Sequence, residues 1–143
     1  PTHVKLSPPE GKPIDTLIIN GAECEPYLTA DHRLMLDAAD RIVAGAELMG
    51  KVLGVGRIFI AVESNKMDAV DGLKKAAHDT DIAVVPLKVK YPQGAEKQLI
   101  KALTGKEVPA GGRAADIGIL VHNVGTAYAV WQAVARGRHS PRP

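Results

Sequence analysis

Four short apolar runs punctuate the chain, and between them the apolar residues fall at helical spacing. The first run, Thr16 to Asn20, reads Thr-Leu-Ile-Ile and stops on a polar asparagine. The second is Arg57 to Val62, "RIFIAV". The third, Ile82 to Val89, contains Pro86, and the fourth is Asp116 to His122, "DIGILVH". Runs of this length, rich in Val and Ile and bounded by polar residues or glycine, predict buried β-strands. Proline gives no N–H to a ladder, so Pro86 predicts an edge strand or a bulge.

Four helical patterns separate and follow these strands. Asp31 is placed as an N-cap, and Leu34, Ala38, Ile42, Val43, Ala46 and Met49 then recur on one stripe, closed by Gly54 in the left-handed conformation. Asn65 is placed as the cap of a short helix carrying Val70, Leu73 and Ala77, with Asp68 at the favourable third position. Ala95 to Leu103 reads as a helix stopped by Gly105, and Asn123 as the cap of a helix running through Ala135 to a stop at Gly137. The order is βαβαβαβα. Near-continuous apolar strands need cover on both faces. The expected fold is therefore α/β: a Rossmann-like, mostly parallel sheet of about four or more strands, with helices on both faces and right-handed crossovers.

Composition narrows the function classes. The chain has 143 residues, 45% hydrophobic and 24% charged, as for one folded domain. Aromatics are only 3%, so Val, Ile, Leu and Ala must build the core. No apolar stretch approaches the roughly 20 residues of a membrane span, so no direct membrane span is expected. The formal net charge is +2 with both signs interspersed. A nucleic-acid binder would show a basic stripe with stacking aromatics, so no nucleic-acid partner is expected. Cys24 is the only cysteine, which excludes an internal disulfide or a self-contained iron–sulfur cluster, and it reads as a small packing residue. The five histidines lack ligand spacing, so no metal site is expected. Both ends read as cut, with residues 1–137 as the domain and 138–143 as a basic tail or linker.

Ligands of open parallel sheets bind beyond the carboxyl ends of the strands. Three polar groups fall there: Asn20 to Glu25, Tyr91 to Glu96 and His122 to Thr126. In extended backbone Glu23 and Glu25 would point the same way, about 6.5 Å apart. Two carboxylates repel phosphate and accept hydrogen bonds from hydroxyl or ring N–H groups, as a ribose or a nicotinamide amide offers. Two solvated loop carboxylates would give the same pattern. Asn123 and Thr126 open a helix, whose N–H groups and positive dipole end suit a phosphate; an ordinary N-cap has the same signature. Lys5 could add counter-charge. Gly94 permits close backbone approach, Tyr91 could stack on a planar ring, and Glu96 opens a helix favourably. "GAELMGKV", Gly45 to Val52, matches Gly-x4-Gly-Lys, but it lies inside a helical pattern and lacks the Ser/Thr of a P-loop. "GVG", Gly54 to Gly56, precedes a strand and lacks the third glycine of a dinucleotide fingerprint. Trp131 is placed in the core.

These residues carry a resemblance. "PTHVKLSPP", "NGAECEPYLTADHRLM", "KYPQGAEKQLIKALTG" and "NVGTAYAV" together resemble the C subunit of the Rnf, or Rsx, electron-transport complex, and more distantly the flavin- and NADH-binding subunit of respiratory complex I. In the complex I relative an Asn-x-Asp-Glu-x-Glu-Pro segment lies against FMN and the nicotinamide. Asn20, Glu23, Glu25 and Pro26 match it, with Ala22 in place of the aspartate. Tyr91, Gly94 and Glu96 match its Tyr-x-x-Gly-Glu-Glu, with Ala95 in place of the first glutamate. Asn123, Val124 and Thr126 match its phosphate-binding Asn-Val-x-Thr, with His122 just before, and Lys5 matches a lysine that follows Phe-Pro-Thr. The resemblance implies FMN and NAD(H) as cofactors, with Glu25 and Glu96 toward NADH and Asn20 and Glu23 toward the flavin. No residue of this chain need be catalytic as an acid or base. It further implies 4Fe-4S clusters in a part beyond Pro143, other subunits and ferredoxin or a similar carrier as partners, and coupling to ion translocation. The expected location is peripheral, on the cytoplasmic face of the bacterial inner membrane. A cobalamin reductase of a bacterial microcompartment, a docking module without flavin, and an unrelated carboxylate-dependent hydrolase are the alternatives.

Overall fold

A computed structural model describes residues 13–22, 30–88 and 95–139. Its strands are β1 (Thr16–Asn20), β2 (Arg57–Glu63), β3 (Ala83–Leu87) and β4 (Ile119–Asn123). Its helices are α1 (Ala30–Asp37), α2 (Ala39–Leu53), α3 (Met67–Ala76), α4 (Ala95–Thr104) and α5 (Val124–His139), with a 3₁₀ turn at Ala114–Ile117. The four strands form one parallel sheet in the order β3-β2-β1-β4. The α/β, parallel-sheet reading of the sequence holds.

Alternation along the strands divides the core in two. Leu17, Ile19, Ile60 and Val62 pack on one face with Met35 of α1, Ile42 and Met49 of α2, Val70 and Leu73 of α3 and Val124 and Ala127 of α5. Ile18, Ala61 and Ile119 pack on the other face with Leu99 and Ile100 of α4. Both faces are covered, but unequally: four helices on one side, α4 and the 3₁₀ turn on the other. Each fully buried Leu or Ile contributes roughly 1.5–3 kcal/mol relative to exposure. The closest helix pairing is that of α2 with α5, where a Cβ on Gly45 would run into the carbonyl of Ala127.

Several boundaries differ from expectation. The Asp31-to-Gly54 pattern is two helices, not one, broken at Ala38 (φ −137°, ψ 34°). The break leaves no mark in the sequence because Leu34, Ala38 and Ile42 keep i, i+4 spacing through it, and Ala38 itself is buried. Asp31 lies within the first turn of α1 and not before it. Asn65 does not cap α3: the cap position is Lys66, without a side-chain bond, and Asp68 Oδ1 instead accepts the Ala69 N–H at 2.8 Å. The fourth strand starts at Ile119. Asp116 instead closes the 3₁₀ turn by accepting the Arg113 N–H at 2.9 Å, and Gly118 (φ 81°) turns the chain into β4. Gly137 does not stop α5, which runs to His139; a helical glycine costs about 1 kcal/mol relative to alanine, too little to end a helix. The third strand spans only Ala83–Leu87, and Val89 lies outside the described residues. Pro86 is accommodated as predicted, because β3 is an edge strand. Gly54 (φ 69°) and Gly105 (φ 77°) do end their helices in the left-handed conformation.

Candidate functional site at the strand-order reversal

The chain builds outward from β1 to β2 to β3 and then returns to place β4 on the far side of β1. The order of the sheet therefore reverses between β1 and β4. Such a reversal opens a crevice beyond the carboxyl ends of the two strands, because the connections leave in opposite directions. The residues at that point are Asn20, the last of β1, and Asn123, the last of β4, which are directly paired in register. Adjacent strands lie about 4.8 Å apart, so the two carboxamides are neighbours. Strand alternation sets them on the face of Ile18 and Val121, the face on which α4 packs.

Local hydrogen bonds fix both side chains. Asn20 Oδ1 accepts the Ala22 N–H at 2.8 Å, and the Gly21 N–H donates to the Ala61 carbonyl at 2.7 Å, which pins the chain leaving β1 across β2. Asn123 Oδ1 accepts the Thr126 N–H at 2.8 Å and the Thr126 hydroxyl at 3.2 Å. Asn123 is thus the predicted cap of α5. With both oxygens engaged, the two carboxamide NH2 groups have no partner among the described residues and remain as donors at the crevice. The first turn of α5 adds the positive end of its dipole.

Of the residues singled out in the sequence, Asn20, Glu96, His122, Asn123 and Thr126 lie among those described. Lys5, Glu23, Glu25, Tyr91 and Gly94 lie outside them, as does Cys24. Asn20, Asn123 and Thr126 are brought together. His122 is buried at 6% exposure and pairs in register with Ile19, so it belongs to the sheet interior behind the crevice. Glu96 is exposed in the first turn of α4, one turn before Leu99 and Ile100. Trp131 is not in the core: it is half-buried on α5, stacked with Tyr128 (centroids 6.0 Å apart) and covered by Arg41, 5.2 Å above its ring.

Three shaping residues went unassigned in the sequence. A Cβ on Gly21 would meet Met35 Sδ at 2.7 Å and the Ala61 carbonyl at 3.0 Å, so only glycine lets the chain leave β1 between α1 and β2. Gly125 leaves backbone bare beside the cap; a Cβ there would stand 3.2 Å from Asn123 Oδ1. The sequence signal for both was a glycine one or two residues after a strand-ending asparagine. Asp68, read only as a helix-start acid, also binds His32 across the molecule: His32 Nε2 and Asp68 Oδ1 are 3.0 Å apart, tying the first turn of α1 to that of α3. That bond and the Ala69 N–H hold the Asp68 carboxyl below the usual carboxylate range.

Residues 1–132 match the Nuo51 FMN-binding domain. The chain belongs to that family. It is 55% identical over 137 residues to the C subunit of the proton-translocating ferredoxin:NAD(+) oxidoreductase complex of Clostridium ljungdahlii, covering 96% of this chain and 30% of the relative. It is 53% identical over 138 residues to the C subunit of the Na(+)-translocating ferredoxin:NAD(+) oxidoreductase complex of Acetobacterium woodii, covering 96% of this chain and 31% of the relative. The chain thus spans about a third of the length of these relatives. Among solved structures, an NAD+-reducing NiFe hydrogenase in its H2-reduced state superposes with a TM-score of 0.71 at 21% identity, over 87% of this chain and 25% of that one. That likeness carries the fold. Among the described residues, no helix is long and apolar enough to cross a membrane.

Proposed function

We propose that this chain forms the FMN- and NADH-binding part of a subunit that passes electrons between NAD(H), FMN and 4Fe-4S clusters, coupled to ion translocation. The observation that carries the reading is the pairing of Asn20 with Asn123 at the reversal of strand order, in a chain of the FMN-binding family. The donor set fits a flavin. The Asn20 carboxamide NH2 suits an acceptor-rich ring, and the Asn123 NH2 with the capped start of α5 suits a phosphate.

In this reading Asn20 and Glu23 face the flavin ring, Asn123 and Thr126 hold its phosphate end, and Lys5 supplies counter-charge. His122 supports Asn123 from within the sheet. Glu25 and Glu96 accept hydrogen bonds from NADH, with Tyr91 and Gly94 allowing close approach of a planar ring. When bound, FMN supplies the redox chemistry, accepting a hydride and releasing single electrons. The chain's own work is to bind, orient and exclude water, with no side chain acting as general acid or base. The iron–sulfur clusters belong to a part of the subunit outside this chain. The partners are the other subunits of a membrane complex and ferredoxin or a similar carrier, with this domain peripheral on the cytoplasmic face of the bacterial inner membrane. The names of the two relatives above half identity favour this complex over a microcompartment reductase.

Glu25→Gln in the complete subunit tests the division of labour. The expected result is a raised KM for NADH, by roughly tenfold for one lost charge-assisted hydrogen bond, with FMN content unchanged. Loss of FMN with an unaltered KM for NADH would refute the assignment.

A further inference from the structure

The connection from β1 to α1 is fastened at both ends to the same strand–helix unit. At the β1 end, the Gly21 N–H donates to the carbonyl of Ala61 in β2 at 2.7 Å, and Asn20 Oδ1 accepts the Ala22 N–H at 2.8 Å. At the α1 end, His32 lies in the first turn of α1, and its Nε2 is 3.0 Å from Oδ1 of Asp68 in the first turn of α3. β2 and α3 are consecutive, joined by Ser64, Asn65 and Lys66. The chain between the two fastenings is residues 23–29 and carries Glu23 and Glu25. Glu25 is seven residues before His32.

The two fastenings differ in kind. The β1 end is backbone bonding in a tight fit, with no room for a side chain on Gly21 between Met35 and Ala61. The α1 end is a side-chain pair, and it is part-exposed: His32 at 26% and Asp68 at 59%. Its acceptor is nevertheless fixed in place and charge. Asp68 Oδ1 also accepts the Ala69 N–H at 2.8 Å, which holds the carboxylate at the start of α3. The bond to His32, and after it that N–H, keep the Asp68 carboxyl below the usual carboxylate range, so it is ionised at neutral pH. A part-exposed pair adds little to global stability. It can still choose among nearby placements of the helix turn it ties. α1 has only eight residues and is separated from α2 by the break at Ala38, so its first turn is not held in line by α2.

We propose that His32 and Asp68 are a positioning pair for NADH, an inference that rests on the NADH-facing role assigned to Glu25. By tying the first turn of α1 to α3, the pair sets where the segment bearing Glu23 and Glu25 rejoins the fold, and so where Glu25 meets the nucleotide. Neither residue touches the cofactor in this scheme; both act through Glu25. The flavin end is set separately, by Asn123, Thr126 and the Gly21–Ala61 bond, so loosening the start of α1 leaves FMN in place. A tie that merely stabilised the fold would register in Tm, whereas one that positions Glu25 registers in NADH affinity. A pair this exposed biases a placement only modestly, so the effect on affinity is a few-fold and not orders of magnitude.

Calorimetric titration of the complete subunit with NADH, beside its FMN content and Tm, tests the pair. His32→Ala removes the tie and leaves Asp68 its bond to the Ala69 N–H. NADH affinity is expected to fall roughly three- to fivefold, with FMN content and Tm nearly unchanged. His32→Gln can still donate an N–H to Asp68 and is expected to keep wild-type affinity. Asp68→Ala gives the same loss as His32→Ala, and the double variant loses no more than either. In a Glu25→Gln background His32→Ala has no further effect, because the group that the pair places is gone. Without any cofactor, amide exchange in His32→Ala is expected to quicken at Leu34 and Met35 and to stay unchanged at residues 123–126. Unchanged NADH affinity in His32→Ala, a full further loss in the Glu25→Gln background, or loss of FMN along with NADH overturns the proposal. Failure of the cofactor reading would register separately, as absence of FMN or of NADH binding in the unaltered subunit.

Discussion

Asn123 ends β4 and caps α5 through one carboxamide, so its replacement has two separable consequences. Asn123→Ala removes the acceptor for the Thr126 N–H and is expected to cost about 1 kcal/mol in urea unfolding. Asn123→Asp retains the capping oxygen and exchanges the NH2 donor for a negative charge. It is expected to keep wild-type stability while weakening FMN binding about tenfold or more. If Asn123→Asp bound FMN as tightly as the wild type, Asn123 would be a cap and nothing else. At this scale the sequence was informative wherever polarity broke a buried pattern. Asn20 and Asn123 were visible because each follows a run that must be apolar. Gly21 and Gly45 were not assigned, because a glycine needed for close packing looks the same on paper as one in open space such as Gly72. Only the position of Met35, Ala61 and Ala127 tells them apart.

Between elements, two contacts set how the helices frame the crevice. The first is the backbone approach of α2 to α5 at Gly45. Gly45→Ala would force the Ala127 carbonyl outward and is expected to cost roughly 1–3 kcal/mol, read as a lower urea midpoint at unchanged m-value. The second is the His32–Asp68 bond between the first turns of α1 and α3. Asp68 has a depressed pKa, so its contribution is fully present above the ordinary carboxylate range and is lost as pH falls through the depressed value. Asp68→Asn is therefore expected to flatten that part of the acid limb of a Tm–pH profile and to leave the neutral limb unchanged in shape. Element identity was largely legible, since strand and helix differ in apolar period and Gly54 and Gly105 mark helix ends. Boundaries were less so. Ala38 breaks a helix without disturbing its stripe, and Asp116 satisfies a turn where the apolar run suggested strand.

For the whole molecule, what matters is that pieces distant in sequence meet at one edge of a parallel sheet. The order β3-β2-β1-β4 follows from where each crossover returns, which no local pattern specifies, yet it alone makes Asn20 and Asn123 neighbours. The sequence pointed to the carboxyl edge, because all parallel strands present their carboxyl ends together, and it left open which two strands would flank the strand-order reversal. Nucleotide binding at the reversal of strand order is the proposition on which the rest stands. Hydrogen exchange of the complete subunit, measured with and without FMN, tests it most directly. Slowed exchange is expected at residues 20–22 and 123–126, with no change at 54–58. Protection confined to 54–58, with the Asn20 and Asn123 segments unaffected, would contradict it.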